Sequence, residues 1–485
     1  MRRAAVVVLA LAGVGFRVWA WLLPQGQLDA DESVVGLLTH GILHGRFPAF
    51  FPGQGYGGTQ EEWLAAPLMA VFGMQTWVIR VPVIVLWAAG ALLVWRIGLR
   101  VLGDERRAVA AALLFWLWPA YFVWKSERAH GFYGSELVLG LAVLLLVLRL
   151  DERITRRDLV LLGLALGCGL WSSPQVAIVA LPALVWLVWR RRTIVRGAAL
   201  VLGAGVVGGL PWLIANIRHG WPSLHPGANE GTWTYHLHNL VVATLPQALG
   251  LRLAWSFEWL GTPYVAIPLY IGVVAGFVYL LWRRPPGLGL VLLIVVLFPV
   301  FYFASPYTWL QSEPRYLTLV LPLFALLLVA RLPVAPVLAV AVAFTIGGLV
   351  ELQRHHVAAF TTEGVPVPAS LGPAIGELRA NHIGYAFGSY WVAWRISYES
   401  KLHVVGAKAS YVHPFVRDGR VYPGDIPTDL GIDPRPYREA ESHRDVAHIF
   451  VHGGDLEPQV APLLRRAGYS AVRAGGYDVW LPPRG

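Results

Sequence analysis

Apolar stretches of about twenty residues, the length an α-helix needs to cross a bilayer core of ~30 Å, recur from the N-terminus to about position 352. One such stretch could be a buried core helix, but a regular series of them fits only a chain that lives in a membrane, where helices satisfy their own backbone. Composition agrees: 56% of the 485 residues are hydrophobic and 14% charged, against about 25% charged in soluble domains. A soluble globule is excluded. The stretches fall near 4–23, 76–100, 108–124, 134–150, 159–172, 175–189, 196–217, 264–282, 288–304, 316–331 and 333–352, which predicts eleven spans. The leading one follows Met1-Arg2-Arg3 and has no small-x-small cleavage site before the polar turn, so it reads as a retained span.

The chain carries 39 basic and 29 acidic residues, a net charge of +10, and its only lysines are Lys125, Lys401 and Lys408. The arginines sit beside apolar stretches, so the charge orients the chain in a membrane and no nucleic-acid partner is expected. Arg2/Arg3, Arg106/Arg107, Arg153/Arg156/Arg157, Arg190–Arg192 and Arg283/Arg284 alternate with loops poorer in basic residues. By the positive-inside rule the N-terminus is cytoplasmic, in a plasma (inner) membrane, and the C-terminus is outside. The outer face then receives a long loop at 24–75, a turn at 125–133, a loop at 218–262, a turn at 305–315 and everything after about 353.

Both long loops contain amphipathic helical patterns, at 33–45 and 237–252, expected to lie on the bilayer surface. Beyond 366 the sequence turns mixed and polar. Helices are expected at 371–382 and 459–467 and strands at 385–387, 403–405, 447–452 and 477–481. The expected fold class is therefore a polytopic α-helical membrane module, 1–353, followed by a small extracytoplasmic α/β domain, 366–485. The single cysteine, Cys168, lies in an apolar run and makes no intramolecular disulfide, so the outer portions must be stable without one.

No phosphate-binding loop, dinucleotide fingerprint, zinc-protease helix, nucleophile elbow or Cys/His metal spacing is present. What remains is the acidic run Leu28-Asp29-Ala30-Asp31-Glu32-Ser33 directly after the first span. Asp31 as the N-cap of the following helix, with Glu32 in its first turn, accounts for the run structurally. Carboxylates at a membrane edge are also costly enough to mark function, and a cap fixes the carboxylate it uses.

Asp31-Glu32 after the first span, Gly41-Ile42-Leu43-His44-Gly45-Arg46-Phe47-Pro48, and Gly53-Gln54-Gly55-Tyr56-Gly57-Gly58 leading through Glu61 to Ala65-Ala66-Pro67 together resemble the GT-C membrane glycosyltransferases. The nearest branch is similar to the protein O-mannosyltransferases and the lipid A aminoarabinose transferase. The resemblance covers the first 350 residues in architecture, with its motifs in 29–67, 125–136 and 313–322. It implies transfer of a sugar from a polyprenyl-phosphate donor to a glycan, lipid or protein acceptor at the outer membrane face.

The residues suit that chemistry. An acceptor hydroxyl needs a carboxylate base, and Asp31 is the candidate, with Glu32 orienting it or the sugar. Asp29, two residues away, is an alternative base. The leaving group is a phosphate, so cations rather than a general acid must meet its growing charge. Arg315, beside Tyr316, is the first choice, joined by Lys125 and Arg128; snorkelling at the interface is the competing account for each. The resemblance implies a sugar- or acceptor-binding role for Glu136, one turn into a span after Tyr133, where pairing with the helix dipole competes. Glu61 matches a family position, against a simple place on a surface helix, and Gln54 and Tyr56 belong to the glycine-rich motif. His40/His44 and His236/His238 lack matching acidic or cysteine ligands and read as polar faces. No metal or other cofactor is expected: Asp31 and Glu32 could bridge a divalent cation, but the mannosyltransferase-like relatives generally do without one. A multispan transporter, a lipid-linked glycan ligase or phosphotransferase, and a non-catalytic scaffold for envelope glycan assembly are the alternatives. One-sided long loops favour surface chemistry over the midplane site of a transporter.

Overall fold

The computed structural model describes residues 3–225, 232–305, 308, 313–354, 360–424 and 435–483. Helices occupy each of the eleven apolar stretches. The series runs α1 (Arg3–Leu22), α2 (Ala30–Leu43), α3 (Gln60–Phe72), α4 (Thr76–Val101), α5 (Glu105–Leu117), α6 (Ala120–Lys125), α7 (Tyr133–Glu152), α8 (Arg156–Ser172) and α9 (Ala177–Arg190). It continues through α10 (Ala198–Gly208), α11 (Leu210–Arg218), α12 (Trp233–His238), α13 (Leu245–Ala248), α14 (Pro263–Arg283), α15 (Gly289–Ala304), α16 (Leu321–Arg331) and α17 (Val334–Arg354). Five of these, α1, α4, α7, α14 and α17, are long and apolar enough to cross a membrane alone, and the pair α10–α11, bent by 65°, makes a sixth. The others are shorter. The stretch at 108–124 divides into α5 and α6 at Pro119, which has no N–H with which to continue a helix.

Arg17, in the middle of α1, is buried at that break. Its guanidinium donates to the carbonyls of Gly13 (2.8 Å) and Trp116 (3.1 Å) and lies 3.4 Å from the centre of the Trp116 ring. A cation in an apolar bundle is tolerated when carbonyls freed by a broken helix accept from it. Elsewhere, α8 and α10 approach closely through Gly163, Gly167 and Gly205, where a Cβ at Gly167 would meet the Gly205 carbonyl.

The helix expected at 33–45 begins three residues earlier, as α2, and is not an open surface helix. It packs against α3, α4 and a helix from the C-terminal region, and Val34, Val35 and Ile42 are buried. The pattern at 237–252 becomes α12, a π-helical turn Asn239–Thr244 and α13.

The C-terminal region begins with the two-residue strands β1 (Thr361–Thr362) and β2 (Val365–Pro366). It continues through α18 (Gly372–Ala380), β3 (Tyr385–Gly388), α19 (Tyr390–Glu399), β4 (Val405–Lys408), β5 (Phe415–Arg417), β6 (Arg420–Tyr422) and α20 (Arg435–Ser442). It closes with β7 (Val446–Val451), α21 (Glu457–Arg466), β8 (Ser470–Ala474) and β9 (Tyr477–Leu481). A five-stranded sheet in the order β4-β3-β7-β9-β8 forms its centre, parallel across β4, β3 and β7 and antiparallel from β7 to β8. Every residue of β7 and β9 is buried, as strands covered on both faces require.

The helix α19 is the crossover between β3 and β4, and its two faces separate cleanly. Val392 and Ile396 join the sheet's core, whereas Tyr390, Trp394 and Tyr398, spaced four apart, pack with the membrane helices. Tyr398 lies against Gly36 of α2, where any Cβ would fall inside its ring. Sequence periodicity did not indicate α19, because apolar residues on the two sides that meet the sheet and the membrane helices give no single stripe.

Candidate active site

The N-terminus of α2 organises the polar centre. Asp29, with extended backbone, caps the helix by accepting from the Glu32 amide at 2.9 Å, so the cap is Asp29 and not Asp31. The two acids of the first turn then point apart. Glu32 is fully buried: both its oxygens accept from Arg80 (Nε–Oε1 2.7 Å, Nη2–Oε2 2.6 Å), Arg128 lies 2.7 Å from Oε2, and the Ala129 amide donates to Oε1 at 3.1 Å. Arg80 also donates to Glu127 (3.0 Å) and the Gly26 carbonyl (2.8 Å). This network ties α2 to α4 and to the turn after α6, and it faces away from open space. Both oxygens of Glu32 are thus engaged within the scaffold.

Asp29 Oδ2 receives Arg128 Nη2 at 2.5 Å and His130 Nε2 at 2.6 Å. Burial opposes its ionisation, but His130 and Arg128 outweigh burial and hold the carboxyl below the ordinary range. Lys125 Nζ meets His130 Nδ1 at 2.7 Å and sits 4.0 Å from the centre of the Tyr133 ring. Burial lowers the Lys125 ammonium to about 8.

Asp31 takes the remaining direction, into a cavity of about 320 Å³. Its wall includes Asp31, Gln54, Tyr56, His130, Phe132, Tyr133, Ser173, Gln175, Tyr302, Thr308, Arg315, Tyr316 and Tyr390. Gln54 and Tyr56 arrive on a hairpin closed by the Phe51 amide donating to the Gly57 carbonyl at 2.7 Å, with Gly57 at φ 81°. Asp31 Oδ1 accepts from the Tyr390 hydroxyl at 2.8 Å, and Oδ2 makes no hydrogen bond among the described residues. Burial and the neighbouring Asp29 charge push the Asp31 carboxyl up, against the pull of His130, Tyr390 and Arg315.

Across the same cavity, the Arg315 guanidinium makes no hydrogen bond among the described residues, and its Nε is buried without a partner. Its companion acid, Glu313, accepts from Tyr121 (2.8 Å) and Trp255 (3.4 Å). Burial raises Glu313, but Arg315 and Lys125 bring it below its ordinary value.

Of the twelve residues singled out from the sequence, six line the cavity and six lie outside it. Asp31, Gln54, Tyr56, Tyr133, Arg315 and Tyr316 form its wall. Asp29, Glu32, Lys125 and Arg128 are committed to the ion network beside it. Glu61 accepts from the amides of Gly134 (2.8 Å) and Ser135 (3.0 Å), and Glu136 is fully buried outside the cavity wall. Sequence reasoning passed over His130, Arg80 and Tyr390. A charged residue inside an apolar stretch was a signal for Arg80; nothing local marked Tyr390.

A second, apolar cavity of about 1330 Å³ opens between α14, α15 and α16, lined by Leu245, Leu269, Val273, Phe277, Phe324 and Leu328, and shares Phe298 with the first.

Against known proteins, ArnT from Cupriavidus metallidurans in the apo state superposes with a TM-score of 0.64 at 14% identity, covering 99% of this chain and 98% of that one. The same protein bound to undecaprenyl phosphate gives 0.66 at 13% identity, with the same coverage. The chain has the ArnT-like GT-C fold. The family model for dolichyl-phosphate-mannose-protein mannosyltransferase matches residues 61–214, so the acidic run at 29–32 precedes the matched region. The undecaprenyl phosphate-alpha-4-amino-4-deoxy-L-arabinose arabinosyl transferase of Pseudomonas aeruginosa (strain UCBPP-PA14) is 29% identical over 237 residues, 43% of this chain. A second transferase of that name, from Pseudomonas fluorescens, is 28% identical over 220 residues, 41% of this chain. The matches span 42% and 37% of those relatives, less than half their length. The resemblance to the mannosyltransferase and aminoarabinose-transferase branch of the GT-C superfamily stands.

Proposed function

We propose that the chain transfers a sugar from a polyprenyl monophosphate to an acceptor hydroxyl at the extracytoplasmic membrane face. The observation that carries this reading is one cavity with an open carboxylate oxygen of Asp31 on one side and the unpaired Arg315 guanidinium on the other. Asp31 takes the proton of the acceptor hydroxyl as its oxygen bonds to the anomeric carbon. The bond from that carbon to the phosphate oxygen breaks, and polyprenyl phosphate leaves with its negative charge facing Arg315. A single displacement of this kind inverts the anomeric centre. Tyr133, Tyr316, Gln54 and Tyr56 contribute wall for the sugar and phosphate, and Lys125 and Arg128 add positive charge behind it. The apolar cavity adjoining at Phe298 suits the polyprenyl tail. The relatives named as transferring aminoarabinose from undecaprenyl phosphate support a lipid-linked donor; pentose and hexose donors both fit a cavity of about 320 Å³.

In this reading the eleven helical stretches are eleven crossings. The N-terminus is cytoplasmic, the membrane module is 1–353, and the region 366–485 is an outer domain. The test is turnover of radiolabelled polyprenyl-phosphate sugars by the purified full chain in liposomes, comparing wild type with Asp31→Asn and Arg315→Ala. Transfer that both substitutions suppress is the expected result. A full donor panel without turnover, or activity indifferent to Asp31, overturns the reading.

A further inference from the structure

Among the described residues, the C-terminal region reaches the cavity through one side chain. The Tyr390 hydroxyl, on the first residue of α19, lies 2.8 Å from Asp31 Oδ1 across a sequence separation of 359 residues. The contact is held from both sides. Tyr398, two turns along the same face, seats α19 against Gly36 of α2, while Val392 and Ile396 fasten α19 to the sheet. Tyr390 can donate only one proton, and its hydrogen bond to Asp31 uses it. The bond occupies Oδ1 and leaves Oδ2 toward the cavity.

We propose that Tyr390 is a positioning residue for Asp31, fixing the carboxylate so that Oδ2 meets the acceptor, and that the C-terminal region is thereby a working part of the reaction site. This rests on the transferase reading, in which Asp31 is the base. A carboxylate free to rotate about its Cα–Cβ and Cβ–Cγ bonds samples orientations in which neither oxygen lies on the acceptor's line of approach, and a hydrogen bond to one oxygen removes them. The same bond favours the charged form that a base must have. The charged and titratable groups facing Asp31 are Asp29 from the cap of its own helix, His130 and Lys125 from the turn after α6, Arg315 from the turn before α16, and Tyr390 from α19. Asp29 and burial raise the carboxyl and the other groups lower it, so loss of the phenol leaves it higher.

The experiment compares wild type, Tyr390→Phe and Tyr398→Phe as full chains in liposomes, with any donor that wild type turns over, measuring kcat and KM from pH 5 to 9. Tyr398 has a buried hydroxyl without a hydrogen-bond partner at the same helix contact, so its substitution removes an equal volume without touching Asp31. The expected result for Tyr390→Phe is a fall in kcat of about tenfold, an unchanged donor KM, and an acidic limb moved up by about one pH unit. Tyr398→Phe keeps the wild-type profile. A fluorinated tyrosine at 390, a stronger donor, moves the limb down and serves if the phenylalanine variant does not fold. A wild-type limb and rate in both 390 variants overturns the positioning role while leaving the transferase reading in place. Absence of turnover by wild type with every donor overturns that reading and this inference with it.

Discussion

Asp29, Asp31 and Glu32 sit within four residues yet carry three different tasks, because a helix begins between them. The cap takes Asp29, the buried side of the first turn takes Glu32, and the open side takes Asp31. If Asp31 is the base, as proposed, Asp31→Asn is expected to lower turnover by roughly 10²–10⁴-fold with the melting temperature in detergent nearly unchanged. Glu32→Gln leaves Arg80 and Arg128 without a full countercharge in a buried network and is expected to cost about 3–5 kcal/mol, read as a large drop in melting temperature. Because burial and Asp29 raise the Asp31 carboxyl, activity is lost as pH falls through a value above the ordinary carboxylate pKa of about 4. A kcat profile measured to pH 5 checks this. Glu62 gives the opposite kind of signal. Burial, with Glu61 beside it, raises its carboxyl to about 8, so the folded protein holds a proton that the unfolded chain has lost. Stability therefore declines from about pH 4.5, the unfolded value, up to about 8. Glu62→Gln is expected to melt higher than wild type at pH 8.5 and equal to it at pH 4. From the sequence Asp31 was the candidate base and Asp29 the alternative, since a displacement of the helix start by two residues exchanges their positions. Arg315 was legible from its place before an apolar span; that Lys125 and Arg128 are internally engaged was not, because their partners lie outside the local sequence.

Among the elements, those whose register depends on local pattern were readable and those defined by partners were not. The apolar stretches gave the positions of the membrane helices, and short apolar runs in the mixed polar C-terminal sequence gave β7 and β9. The amphipathic appearance of α2 suggested a helix on a lipid surface, but its apolar side is covered by protein, a difference that hydrophobicity alone cannot express. The helix α19 was missed for the same reason, since it is apolar toward two different neighbours. Its seat can be tested directly. Gly36→Leu places a side chain in the volume of the Tyr398 ring and is expected to lift α19 from α2. Activity should then fall at least as far as in Tyr390→Phe. Limited proteolysis should cleave between the membrane helices and the sheet at protease concentrations that spare wild type.

Across the whole molecule, the polar loops, the cavity and the C-terminal sheet are expected on one side of the bilayer, an arrangement inferred from the arginine distribution. Because Cys168 is the only cysteine, Cys168→Ser gives a clean background for labelling. In intact cells a membrane-impermeant maleimide should modify Ala380→Cys, at the end of α18, and leave Arg153→Cys, after α7, unmodified until the membrane is opened. Labelling in the reverse order would place the site on the cytoplasmic side. The overall class and the helical frame were legible because bilayer crossing imposes length and composition. The cavity was not, because it is assembled from segments far apart in the chain. The link from Asp31 to Tyr390 closes a loop of 359 residues, and closures of that span form late. Synthesis proceeds from the N-terminus, so Asp31 is in place well before residue 390 leaves the ribosome. During that interval the bundle already holds its carboxylate and arginine but lacks one wall, and a chain arrested there would be inserted, folded in most of its helices and still without the completed cavity that the proposed transfer requires.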